Sequence, residues 1–174
     1  MKSLFVSMIL VCSFAISLSA SPNHKTVIKK DSTNKISINQ LLEYYYKVKD
    51  ALVNSSSSNA AAHAGGLLNA IQSINVKTLT DAEQKAFMSI QDKLSSEAKS
   101  ISQSKELPKQ RIYFASLSDN FYTLAKEVKL STKPIYRDYC PMKKKYWLSS
   151  ESTIKNPYFG KAMPTCGEVK ETLK

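Results

Sequence analysis

Four sulfur-bearing side chains near the end of the chain carry the most distinctive chemistry in the sequence. One residue separates Cys140 from Met142, and two separate Met163 from Cys166. Thiolates and thioethers are soft donors that favour Cu(I) over calcium or magnesium. Together the four would offer two thiolates and two thioethers to one ion, on loops stiffened by Pro141 and Pro164. A stiff site loses less entropy when it closes on a ligand. Two thiolates around Cu(I) leave one negative charge, which Arg137 or a nearby lysine can offset. Zinc accepts the cysteines but gains little from methionine, whereas silver and mercury mimic copper. The same cysteines can instead close a disulfide around 25 intervening residues, worth about 3 kcal/mol, with the methionines serving as ordinary packing. Spacing leaves both readings open.

Other chemistries find little support. There is no Gly-x-Ser-x-Gly, no phosphate loop, no dinucleotide fingerprint and no His-Glu-x-x-His, and a non-catalytic protein is expected. Haem attachment through Cys-x-x-Cys-His and the Glu-x-x-His pairs of di-iron bundles are missing too. Of the two histidines, His24 falls in a polar tether. His63 sits one turn before Leu67 on an expected helix, where it reads as a partly buried residue rather than a ligand. The net charge of +11 comes from lysines scattered along every segment. That reads as a solvated basic surface, not the aromatic-interleaved stripe of a nucleic-acid binder.

The elements that would position the sulfurs follow from periodicity. Residues 1–20 read as a secretory signal: Lys2, an apolar run from Leu4 to Leu18, and Ala20 at the cut. The run is too short for a membrane span. Cys12 lies inside it, behind a bulky Val11 that suits no lipid-anchoring site. Export to the periplasm or beyond is therefore expected, with no stable membrane span after cleavage. Residues 21–36 read as a flexible linker.

Residues 37–131 read as four helices. Ser37 and Gln40 suggest a capping box ahead of Ile38, Leu41, Leu42, Tyr45, Val48 and Leu52. A second helix begins near Ser57, with Gly65 and Gly66 as sites for a kink or local thinning. Thr80 and Glu83 cap a third, which carries Phe87, Ile90, Leu94, Ala98 and Ile101. A fourth carries Phe114, Leu117, Phe121, Leu124 and Val128, and Lys133-Pro134 is expected to end it. The expected fold is all-α: an antiparallel four-helix bundle. Residues 132–174 are read as a mostly irregular Cys/Met segment folded back on it, with short extended pieces near 135–139 and 146–148. Trp147 is its expected anchor, and Arg111, Tyr139 and Tyr158 are its expected hydrogen-bonding clamps to the bundle.

Cys140-Pro141-Met142, Tyr146-Trp147-Leu148-Ser149, Asn156-Pro157-Tyr158-Phe159-Gly160 and Met163 with Cys166-Gly167 resemble one bacterial family, the domain of unknown function 3347. Tyr44-Tyr45-Tyr46 with Lys49-Asp50-Ala51-Leu52 resembles its first helix, and Gln110-Arg111 with Phe114, Leu117-Ser118 and Lys126 its last. The resemblance implies an exported protein associated with copper or heavy-metal efflux adaptors, and a partner among efflux-system or envelope copper-handling proteins. The tail is also loosely similar to the small heavy-metal-binding module of such adaptors. It departs from that module at Glu168, where methionine would stand, and at Lys143-Lys144-Lys145, a run that repels a cation unless it points away. Cu(I) held by Cys140, Met142, Met163 and Cys166 is the site this implies. A structural or protein-interaction domain closed by a Cys140–Cys166 disulfide is the alternative.

Overall fold

The computed structural model describes residues 36–174. The expected signal segment, and all of the expected linker except Ile36, lie outside the described residues. Helix α1 spans Ile38–Val53. At its start the Ser37 backbone N–H donates to Gln40 Oε1 at 2.9 Å, satisfying a group the helix leaves unpaired. It ends where Ser55 takes a left-handed φ of 54°. Helix α2 spans Ser57–Gln72 and is capped by Ser56. It runs through Gly65 and Gly66 as one continuous helix. These glycines thin the helix where it meets α1: a β-carbon on Gly66 would lie 3.5 Å from the Tyr44 ring. Helix α3, Asp81–Gln103, opens on the expected box, with Thr80 N–H on Glu83 Oε2 at 2.9 Å and Glu83 N–H on Thr80 Oγ1 at 3.3 Å.

Helix α4 spans Leu107–Glu127 and carries Pro108 in its first turn, where a missing N–H costs nothing. It stops at Glu127, well short of Pro134. Val128 is already extended, and the chain then leads into a strand. Consecutive helices pack on one another, and Leu41, Tyr45, Phe87, Leu94, Phe114, Phe121 and the residues around them form one buried core.

The C-terminal part corrects the all-α expectation. It contains a three-stranded antiparallel sheet of order β2-β1-β3, so the fold is α+β. Strand β1 is Ile135–Cys140, β2 is Lys145–Ser149 and β3 is Glu168–Leu173. The first two extend the short pieces suggested by aromatic and β-branched residues. The third has a charged, largely exposed sequence with weak strand propensity. Pairing with β1 makes it a strand, with Ile135 opposite Leu173 and Arg137 opposite Glu171.

The sheet is tied to the helices at two places. Leu148 lies on the edge strand β2, and its N–H donates to the buried Tyr45 hydroxyl of α1 at 2.9 Å. Ser118 Oγ donates to the Phe114 carbonyl, so the Tyr45 O–H donates onward to Ser118 Oγ at 2.8 Å. One satisfied chain of hydrogen bonds thus joins α1, α4 and β2. At the second place the Arg137 guanidinium sits 3.6 Å from the ring centroid of Tyr122 on α4 and 4.1 Å from that of Tyr146 on β2. Glu171 on β3 accepts from Tyr122 Oη at 2.8 Å and pairs with Lys126 at 3.2 Å. Stacking the cation between two rings anchors the sheet to α4.

Candidate functional site

Strand β1 alternates its side chains, so Asp138 and Cys140 project to the same side, and both are buried. Cys140 ends the strand and Cys166 precedes β3 by two residues. The antiparallel β1–β3 ladder brings these distant positions together, and the two free sulfurs lie 4.0 Å apart. Cys140 is fully buried and Cys166 half-buried, so the pair is reached from one side.

The loop carrying Cys166 is held by Asn156. This fully buried amide accepts from the Tyr158 and Phe159 N–H groups at 2.7 and 3.2 Å and donates to the Cys166 carbonyl. Its backbone N–H donates to the Pro164 carbonyl at 2.7 Å. Gly167 completes the placement. At φ 151°, a β-carbon there would meet the Trp147 ring and the Tyr139 carbonyl, each at 2.9 Å. Only glycine lets the chain pass that close beside Cys166.

Arg111 acts as the expected clamp. Its Nε donates to the Pro157 carbonyl at 2.9 Å, and Nη2 reaches the Leu52 carbonyl and Ser55 Oγ at 3.4 and 3.3 Å. Tyr158 binds within the tail instead, donating to the Tyr146 carbonyl while its ring packs between Phe114 and Trp147. Tyr139 is no clamp: its ring lies against Tyr146, 4.6 Å between centroids. Trp147 is 1% exposed and anchors the segment.

The four expected ligands separate into two kinds. Cys140 and Cys166 are in contact. Met142, in the β1–β2 turn, is 61% exposed, and Met163, in the loop before Cys166, is 38% exposed. Among the described residues no three His, Cys, Asp or Glu side chains gather in a metal-holding group. Any ion here would rest on the two thiolates plus a thioether drawn from solvent-facing positions. Burial, then the Cys140 sulfur beside it, push the Cys166 thiol above its ordinary range. His63, half-buried on α2, lies on a different element from the sulfurs.

Sequence reasoning missed a buried polar cluster beside the pair. Asp138 faces Trp147 across the β1–β2 ladder and is fully buried. Its carboxyl oxygens and the Trp147 indole N–H lack aligned hydrogen-bond partners among the described residues. Burial raises the Asp138 carboxyl to about 7, against the opposing pull of Lys49 and the indole N–H. Lys49, 2% exposed, pairs with Asp50 at 3.0 Å. The signal was an acid within the extended piece expected near 135–139, whose inward face only the packing of the sheet on the helices defines.

Among the described residues no helix is long and apolar enough to cross a membrane. The comparison with curated proteins and that with solved structures each give no match. A family model described as "Protein of unknown function (DUF3347)" matches residues 41–133, from α1 to the approach to β1. The matched region holds most of α1 and all of α2, α3 and α4, and stops before Cys140, so the cysteine pair stands on its own geometry. With more than half of its length matched, the chain belongs to the DUF3347 family.

Proposed function

We propose that this protein binds a soft metal ion, Cu(I) foremost, as cargo through Cys140 and Cys166. It does so without catalysis, in an exported compartment such as the periplasm, and serves copper handling or efflux. The observation that carries the reading is the contact of two free sulfurs from residues 26 positions apart. At the roughly 2.3 Å of a metal–thiolate bond, sulfurs 4.0 Å apart subtend about 120° at a shared ion. That angle leaves room for a third donor, and Met142 or Met163 supplies it. A thioether does not need deprotonation and tolerates an exposed position.

The helices hold the sheet, and the sheet holds the sulfurs. An efflux-system or envelope copper-handling protein is the partner this role calls for. Titrating the reduced protein anaerobically with Cu(I), against a competing chelator, tests the reading. One equivalent binds, and both thiols become resistant to alkylation because coordination occupies them. Unchanged alkylation at saturation contradicts it. Thiols that are already oxidised in protein taken from the cell envelope favour the disulfide-closed interaction domain instead.

A further inference from the structure

A cleft of about 400 Å³ opens between the first half of α4 and the turn joining β1 to β2. Its walls are apolar where Pro108, Ile112, Ala115 and Tyr158 line it. Ile112 is 68% exposed, more than any other large apolar side chain among the described residues. Met142, also exposed, sits in the adjoining turn.

The charges lining the cleft have one sign. Arg111, Lys143 and Lys145 face it, and no Asp or Glu does. Arg111 donates only to neutral acceptors, Pro157, Leu52 and Ser55. Lys143 lies over the Phe159 ring at 4.9 Å. Asp119, farther along α4, feels the field of Lys145 without forming an ion pair with it. Three cations around a wet apolar hollow repel one another and leave apolar surface in water. Acidic groups flanking an apolar side chain relieve both penalties.

We propose that this cleft docks an acidic segment of a partner protein, which places an apolar side chain against Ile112 and Pro108. The volume holds one or two side chains. A lone small anion would leave Ile112 uncovered. A nucleic acid wants exposed aromatic faces to stack on, and the only aromatic ring lining the cleft belongs to Tyr158, which is 4% exposed. The net charge of +11 draws an acidic partner from a distance. The docking does not depend on metal binding at the cysteines.

The test uses a short fluorescent peptide of aspartate and glutamate with a central Leu-Phe pair, followed by anisotropy on the metal-free protein. Saturable binding is expected at low salt, weakening as salt rises. The double charge reversal Lys143→Glu with Lys145→Glu lowers affinity by at least about tenfold. Ile112→Ser lowers it several-fold, and Lys77→Glu with Lys85→Glu, elsewhere on the surface, changes it less than about twofold. Equal losses from the two double reversals overturn the proposal, since net charge alone would then explain binding. So do equal affinity for a peptide lacking Leu-Phe, equal affinity for a single-stranded oligonucleotide, or no saturable binding.

Discussion

Replacing both Cys140 and Cys166 with serine lowers Cu(I) affinity by at least about a thousandfold, because a hydroxyl is a hard, neutral donor. Replacing Met142 or Met163 with leucine costs about tenfold or less, since each is exposed and supplies only an assisting thioether. Competition with a Cu(I) chelator reads both. Cys140 is fully buried, so serine there also places a hydroxyl in an apolar setting at about 1–3 kcal/mol. The Cys166→Ser variant separates the two effects: that side chain is half-buried, so the fold survives while half of the thiolate pair is lost. Equal affinity in the double variant and the natural chain contradicts the site.

The second large effect concerns Asp138. Its carboxyl stands near 7 in the fold because burial opposes its ionisation, against about 4 in an unfolded chain. The folded state therefore holds a proton that the unfolded state has lost. Its contribution to stability is full below about pH 4, declines between pH 4 and 7, and is gone above about pH 7. Asp138→Asn mimics the protonated acid at every pH. The variant matches the natural chain in acid and exceeds it at pH 8 by up to about 4 kcal/mol. Urea unfolding between pH 4 and 9 measures this. If the Asn variant gains no advantage over the natural chain as pH rises, Lys49 holds the carboxylate ionised, and the cluster is an ion pair.

Much of the helical part was legible in the residues. The box at Thr80–Glu83 marks its helix start with two reciprocal hydrogen bonds, and Ser37–Gln40 marks its own with the Ser37 N–H on Gln40, local signals that need no tertiary context. The end of α4 was misplaced because Pro134 forbids helix, yet the chain had already turned extended at Val128 to enter the sheet. Strand β3 was missed for a non-local reason. Glu168-Val169-Lys170-Glu171 reads as a solvated tail until β1 lies beside it. That omission turned an α+β fold into an expected bundle with an irregular appendage. The sulfur pair was legible by residue type, but the means of bringing it together was not. It rests on the β1–β3 ladder, the Asn156 hub and Gly167 against Trp147. The polar cluster at Asp138 lies on the two expected strands, and it escaped because which of their faces packs inward is set by the helices beneath them.

X-ray absorption at the copper edge, on the protein loaded with one equivalent of Cu(I), tests the central claim most directly. Two or three sulfur scatterers at roughly 2.3 Å are expected, with one fewer in the Cys166→Ser variant, which keeps the Cys140 thiolate and a thioether and binds markedly more weakly in solution. A spectrum fitted by nitrogen and oxygen only, or one unchanged when both cysteines are replaced, contradicts it.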